Sequence, residues 1–266
     1  MCGLEDGTIN IWRLPEKGLS DSSNEPEQSI KSAHGDKVTI VKFNPLASGI
    51  VATAGQDFVV KIRNLQAEDN SNSLVLKGHT EQIYCMAWSM CGRFLATACK
   101  DGKVRCANKQ SNNDISNHQS RIYRPRESTD PVVEGGQIIP KKGARMVWTN
   151  DNQFLLVSGF TRQSERIITV YRTKDLKKVS SETLNVSPAI LIPYYDEDSS
   201  TLFLQGKGET TMFTYEVGLD SPHLFSLSQY KHGGTQGFGF LNNKKAMNVR
   251  ETEFARAYRY IEVTST

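Results

Sequence analysis

The chain has 266 residues, enough for one large all-β domain or two small ones, and its 38% hydrophobic content suits many short strands joined by polar loops. The net charge of +3 is too small to favour nucleic acid as a partner. No run reaches the roughly 18 apolar residues that a membrane span needs, and no secretory signal pattern opens the chain. Five cysteines without a CxxC pair suit a reducing cytosol and predict no metal or redox site.

The first segment, residues 2–13, reads CGLEDGTINIWR and is typical of the second half of a four-stranded sheet. Asp6 and Gly7 form its turn, and Ile9 to Trp12 supply the strand that follows. The next segment, residues 14–31, is polar and contains two prolines, so it is predicted to be an exposed connection.

Two similar segments then follow, residues 34–65 and residues 74 to about 105. Each has three apolar runs with period two, separated by turn residues, which predicts strands of one antiparallel sheet. Each also begins with a histidine and has an aspartate at its second turn, in the pairs His34 and Asp57, then His79 and Asp101. Spacings of 45 and 44 residues between the equivalent positions are typical of the blades of a WD-repeat β-propeller.

In such blades a hydrogen-bonded His, Asp, Ser or Thr, and Trp often tie the loops together. The set of structural ties predicted here is His34, Asp57, His79, Asp101, Asp6 and Trp12. Tryptophan is kept only at Trp12, and Arg63 stands in its place in the next blade, so that tie is expected to be incomplete. A catalytic His and Asp pair is the alternative interpretation, but no Ser or Cys nucleophile lies in a matching motif.

The third strand of the second repeat is interrupted after Arg105 by CANKQSNNDISNHQSR, residues 106–121. Joining Arg105 to Ile122 gives the complete strand DGKVRIYRPR, so residues 106–121 are predicted to be an inserted, exposed loop. In the alternative, Val104 to Ala107 pair with the sheet, and Ile122 and Tyr123 do not.

Strand patterns continue to the end of the chain, and the fold class predicted is an all-β, incomplete WD-repeat propeller. The GKG at 206–208 lacks the spacing of a phosphate-binding loop, and no cofactor is predicted. We interpret residues 1–266 as a single incomplete propeller, with a partial blade at 1–13 and blades at 34–65, 74–130, 132–176, 178–218 and 220–263.

Three later segments resemble the coronin family: VSGFTRQSERIITVYRTKDL, SPAILIPYYDEDSSTLFLQGKGET and VRETEFARAYRY. KGARMVW and SGFTRQSER are most similar to the long coronins that carry two propellers in tandem. The resemblance implies a seven-bladed propeller, of which about five full blades and a partial one are expected here. It also implies that this chain begins inside the propeller, and the unpaired strand edges of an open ring favour self-association.

The resemblance further implies a protein that binds actin filaments, is cytoplasmic and associated with the cytoskeleton, and acts in cell polarity and membrane traffic. Because the surface of actin is acidic, basic side chains are the contact candidates. Arg162 and Arg166 are favoured among them because they flank a turn between two strands. The candidates are Arg162, Arg166, Lys141, Lys142, Arg124, Arg126, Lys244 and Lys245.

A generic scaffold is the rival hypothesis, in which the propeller faces hold peptides of trafficking or signalling partners without direct actin binding. An enzyme is disfavoured, because the sequence contains no metal-ligand cluster, acid pair or nucleophile motif.

Overall fold

A computed structural model describes residues 1–13, 24–67, 73–76, 78–100, 119–137, 143–233, 237–240 and 247–260. The predicted all-β fold is confirmed, since the helical structure among these residues is a single 3-10 turn, Val249–Glu251. The chain divides into two compact units, Met1–Gly135 and Gly136–Thr266. The interpretation of both units as one propeller stays a prediction.

The described residues of the first unit form three antiparallel sheets, the last strand of which extends two residues beyond Gly135. The first sheet has three strands: β1 (Cys2–Gly3), β2 (Ile9–Ile11) and β3 (Gln28–Ile30). The second has four: β4 (Val38–Phe43), β5 (Ile50–Gly55), β6 (Val60–Asn64) and β7 (Leu74–Leu76). The third also has four: β8 (Ile83–Trp88), β9 (Leu95–Cys99), β10 (Gln119–Tyr123) and β11 (Val133–Gln137). In each sheet, consecutive strands are neighbours.

The second unit repeats this meander. Its first sheet consists of β12 (Arg145–Thr149), β13 (Phe154–Phe160), β14 (Glu165–Arg172) and β15 (Lys177–Val186). Its second consists of β16 (Leu191–Asp196), β17 (Thr201–Gly206), β18 (Thr211–Val217), β19 (Leu224–Ser226) and β20 (Tyr230–Lys231), with β19 and β20 both paired to β18. The last described pair is β21 (Gly237–Phe240) with β22 (Ala257–Tyr260).

The outer strands of the first two sheets differ from the sequence prediction. Strand β3 pairs with β2, with Ile9 opposite Ile30, although the sequence predicts an exposed connection over residues 14–31. Strand β7 pairs with β6, although the sequence predicts that residue 74 opens the next blade. Each of these outer strands has three residues, of which one is buried and one is exposed, and so short a run cannot show the apolar alternation by which a strand is recognised.

Ile122 and Tyr123 belong to the interrupted strand of the second repeat. Strand β10 pairs with β9 from Gln119 opposite Cys99 to Tyr123 opposite Leu95. The alternative that leaves Ile122 and Tyr123 outside the sheet is therefore wrong, and the last three residues of the predicted 106–121 loop belong to the strand. Residues 106–118 lie outside the described part of the chain.

The apolar runs of the sequence are continuous in the inner strands because these strands are almost completely buried. All five residues of β9 are buried, as are five of the six in β5, because each strand is covered on both faces. One cluster joins the sheets of β4–β7 and β8–β11 through small residues such as Ala52 and Ala54 and larger ones such as Leu95. Burial on both faces requires every polar side chain in these strands to find a partner inside the protein.

A close approach between the first two sheets requires glycine at position 7. Gly7 has a φ of +79°, and a Cβ at this position would lie 2.2 Å from the carbonyl oxygen of His34. The backbone N–H of His34 donates to the carbonyl of Gly7 over 3.0 Å, so the turn and the following loop are held against each other. A side chain at position 7 would push this contact apart.

We expect Gly7→Ala to lower the free energy of unfolding more than Gly208→Ala. Gly208 has the same φ of +79°, but nothing lies within 4 Å of the point that a Cβ would occupy, so the control measures the backbone strain alone, about 1–2 kcal/mol. The clash with His34 should roughly double that loss. Urea unfolding followed by tryptophan fluorescence checks both variants, and equal losses would contradict the close approach.

Candidate interaction surface

A buried chain of hydrogen bonds crosses the sheet of β4–β7. The Nδ1 of His34 lies 3.0 Å from Asp57 Oδ2, and its Nε2 lies 2.8 Å from Thr53 Oγ1. Arg63 Nη1 donates to the same Thr53 hydroxyl over 3.0 Å. We call this set, Arg63, Thr53, His34 and Asp57, the Arg63 relay. It joins the His34 and Asp57 contact to a bond network that crosses the sheet.

The donors fix the direction of the relay. The Asp57 carboxylate can only accept, so Nδ1 of the neutral imidazole holds the proton and Nε2 accepts from the Thr53 hydroxyl. The Thr53 oxygen in turn accepts from the guanidinium of Arg63, which can only donate. Nδ1–H of the neutral imidazole then donates to the Asp57 carboxylate. The backbone N–H of Gly35 donates to the same carboxylate over 2.9 Å, which closes the loop around the histidine.

The expectation that Arg63 leaves the tie incomplete is wrong. Arg63 is 3% exposed, and besides Thr53 it reaches the carbonyl of Ala33 through Nη2 at 2.6 Å. Tryptophan at this position would offer one N–H donor, and arginine supplies that donor together with a second bond. Burial lowers the pKa of Arg63, and the attraction of the Asp57 carboxylate offsets only part of that effect.

The next sheet carries a second version of the tie. His79 Nε2 lies 2.9 Å from Thr97 Oγ1, and the ring of Tyr123 stacks on the imidazole with centroids 5.6 Å apart. With residues 106–121 set aside, Tyr123 falls six positions after Asp101, the spacing that separates Asp57 from Arg63. That spacing is the signal by which sequence reasoning could have found Arg63 and Tyr123. Asp101 itself lies outside the described residues.

The first sheet has the least complete tie. Asp6 accepts hydrogen bonds from the backbone N–H and the hydroxyl of Thr8, at 2.9 and 3.0 Å, which hold its pKa below the usual range. Trp12 Nε1 is buried and has no hydrogen-bond partner among the described residues. Asp6 therefore shapes a local turn, and the relay of the second sheet has no counterpart here.

Arg166 is buried, which corrects its prediction as a surface contact. The residue is 1% exposed, and its guanidinium pairs with Glu209 at 3.0 Å and donates to Asn185 Oδ1. It also lies over the ring of Phe213, 5.5 Å from the centroid. Because these bonds occupy the guanidinium inside the second unit, Arg166 cannot reach another protein.

Arg162 lies in the exposed turn that Arg166 anchors. The turn is closed by Thr161 N–H to Glu165 O at 2.8 Å and by Ser164 N–H to Thr161 O at 3.1 Å. Arg162 itself is exposed at the tip. The two predicted contact residues therefore separate into one that presents a charge and one that holds the turn.

The remaining predicted basic candidates lie in different places. Arg124 is exposed, pairs with Glu127 at 3.2 Å and covers the ring of Phe94. Arg126 is exposed and makes no ion pair with any described residue. The other four candidates, Lys141, Lys142, Lys244 and Lys245, lie outside the described residues.

Metal-ligand groups and membrane-spanning helices are both absent from the part of the chain that the structure describes. No group of three or more His, Cys, Asp or Glu side chains is placed there to hold a metal ion. None of the helices in the described part is long and apolar enough to cross a membrane.

Comparison with known proteins adds to this geometry. The family model of the WD domain, G-beta repeat, matches residues 70–108. Human Coronin-7 is 36% identical over 96% of this chain, and human Coronin-2A is 28% identical over 98% of it. The chain belongs to the coronin family. It spans 26% of the length of Coronin-7 and 47% of that of Coronin-2A.

A solved coronin structure confirms the fold class. The WD40 domain of Toxoplasma gondii coronin superposes with a TM-score of 0.78 at 22% identity, over 98% of this chain and 62% of that one. The fold of this coronin chain is thus the all-β WD-repeat propeller class, incomplete by comparison with that domain.

Arg63→Met should lower the free energy of unfolding by about 1–3 kcal/mol, because it leaves the buried Thr53 hydroxyl and the Ala33 carbonyl without the donors that Arg63 supplies. Arg13→Met is the matched control, since Arg13 is exposed and its ion pair among the described residues is with the exposed Glu27. This variant should therefore lower the free energy of unfolding by no more than about 1 kcal/mol. Urea unfolding measures both. Equal, small losses would show that the relay does not stabilise the sheet.

Acid should destabilise the first unit through His34. Burial lowers the pKa of His34 in spite of the attraction of Asp57, so protons bind more tightly to the unfolded chain. The stabilisation that the buried neutral His34 gives is complete above the ordinary histidine pKa of about 6.5. It is lost as the pH falls below about 6.5 toward and through the lower pKa of His34 in the folded protein. The pKa of Asp57 is also held down, by Gly35 and His34 against the opposing effect of burial, which adds a loss at lower pH.

The measurement is the free energy of unfolding between pH 7.5 and about 5, for the wild type and for His34→Gln, which does not titrate. The wild type should lose more stability than the variant across this window. Parallel curves would mean that His34 does not carry the pH dependence.

Proposed function

We propose that this coronin chain is a non-catalytic protein-interaction module that binds actin filaments. Membership of the coronin family supports the proposal, and the exposed turn at Arg162 is the observation that carries it. The turn connects β13 and β14, which pair along seven residues from Phe154 to Phe160, so a rigid hairpin presents the charge.

The chemistry proposed is electrostatic. The backbone of a tight turn loses little conformational freedom on binding, and the guanidinium at its tip attracts an acidic filament surface from a distance. Arg166 contributes from inside, because its pairing with Glu209 and Asn185 fixes the base of the turn. Arg124 and Arg126 are additional exposed charges on the first unit.

In the cell, this activity would place the protein in the cytoplasm with the actin cytoskeleton, in filament organisation, cell polarity and membrane traffic. Other proteins would bind at the faces of the propeller. Self-association would follow from unpaired strand edges, which offer backbone donors and acceptors to a second copy.

Co-sedimentation with filamentous actin at about 50 and 200 mM KCl tests the proposal, because salt screens charge pairs between surfaces. The wild type should pellet with filaments at the lower salt and less at the higher. Arg162→Glu should reduce the bound fraction about threefold or more, because it places a negative charge against an acidic surface. Lys207→Glu, at another exposed turn of the same unit, is the control and should pellet like the wild type.

Arg166→Glu is not a useful variant in this assay, because it would bury a second carboxylate beside Glu209 and unfold the unit. Failure to pellet at low salt, with capture of peptides from other proteins, would favour the generic scaffold. Unchanged pelleting of Arg162→Glu would remove that residue from the contact.

A further inference from the structure

A small apolar cavity opens in the first unit where two turns meet. The turns are those between β4 and β5 and between β8 and β9, and the cavity has a volume of about 140 Å³. Its apolar lining comes from Ile50, Ile62, Leu74 and Trp88. An engineered cavity of about 150 Å³ in another protein takes up benzene, so this one has room for a single ring or a branched aliphatic side chain.

The mouth of the cavity is held open by hydrogen bonds that do not depend on a ligand. Asn44 Nδ2 donates to the carbonyl of Gly92 over 2.8 Å, which joins the two turns. Its Oδ1 accepts from the backbone N–H groups of Leu46 and Ala47, at 3.0 and 2.9 Å. The site is therefore formed before anything binds, which lowers the entropic cost of binding.

The aromatic wall is fixed in the same way. Trp88 Nε1 donates to the carbonyl of Lys42 over 3.1 Å, so its polar atom is satisfied by the neighbouring sheet. Gly92 has a φ of +64°, and a Cβ there would lie 2.5 Å from Asn44 Oδ1, so only glycine keeps the turns this close. Leu46, in the same turn as Ala47, is 72% exposed and extends the apolar surface beyond the cavity.

The charge around the cavity is positive. The exposed side chains of Arg93 and Arg126 line it, and no Asp or Glu is among its described lining residues. Guanidinium groups bind carboxylates by charge-assisted, often bidentate, hydrogen bonds. An apolar pocket flanked by two such groups fits an extended segment that carries one apolar side chain between acidic residues.

We propose that this cavity is a docking site for acidic peptide segments of partner proteins, in which one leucine-, isoleucine- or phenylalanine-sized side chain enters between the two turns. The flanking carboxylates of the peptide pair with Arg93 and Arg126. This site lies in the first unit, whereas the actin proposal is carried by Arg162 in the second, so either proposal can fail without the other.

Fluorescence anisotropy with the 266-residue chain tests the site, using the labelled peptide Gly-Asp-Glu-Leu-Asp-Glu-Gly as probe. A second peptide has Ala in place of Leu, and a third has Asn and Gln in place of the acids. The leucine peptide should bind at least about tenfold more tightly than the alanine peptide, because it buries an apolar side chain. The leucine peptide should also bind at least about threefold more tightly than the amide peptide.

Two variants divide these contributions. Ala47→Leu fills the cavity while keeping the backbone bonds to Asn44, so it should weaken the leucine peptide about tenfold and leave the alanine peptide unchanged. Arg126→Glu should weaken both acidic peptides and not the amide peptide. Lys31→Glu, an equal charge change at an exposed residue of the same unit, is the control and should stay within about twofold.

Four results would overturn the proposal, and three of them concern the peptides. They are equal affinity for the leucine and alanine peptides, insensitivity of the leucine peptide to Ala47→Leu, and no binding of any peptide up to about 1 mM. Salt-sensitive binding that Lys31→Glu and Arg126→Glu weaken equally would also overturn it, because it would show attraction to the whole basic surface and not to this cavity.

Discussion

Burial of the inner strands on both faces is the constraint on which the rest of the first unit depends. A hydroxyl or imidazole in such a strand cannot turn to water, so it must find its partner inside. The Arg63 relay meets this demand at Thr53 and His34, and Asp57 at its end accepts bonds from the side chain and from the backbone of the loop. The polar bonds thereby fix the loop that begins at His34 against the turn at Asp57.

One position in the repeat is filled by three different side chains: Trp12, Arg63 and Tyr123. Arg63 completes its relay, Tyr123 stacks on His79, and Trp12 has no hydrogen-bond partner among the described residues. Large side chains that differ in hydrogen-bonding capacity therefore occupy this position, and the contacts they make differ from sheet to sheet.

Arginine has a comparable structural role in the second unit of this coronin chain. Arg166 is buried between Glu209, Asn185 and Phe213, where its charge, its donors and its flat face are all used. Arg162, the exposed charge that we propose for actin binding, lies on the turn next to these buried groups. The cavity beside Trp88 is likewise shaped by a polar contact, because Asn44 holds the two turns together and the apolar wall stays accessible.

Local pattern was sufficient to predict the strands, the repeat and the fold class, because inner strands have apolar runs and the His and Asp positions recur at fixed spacing. The sequence does not place the outer strands β3 and β7 in their sheets, because three residues are too few to show a pattern and backbone pairing with β2 and β6 decides which sheet they join. Only the tertiary structure decided which arginines are surface charges, because Arg162 and Arg166 read alike along the chain. Arg166 is buried because it pairs with Glu209 and Asn185, which are distant in sequence and meet it only when the chain folds.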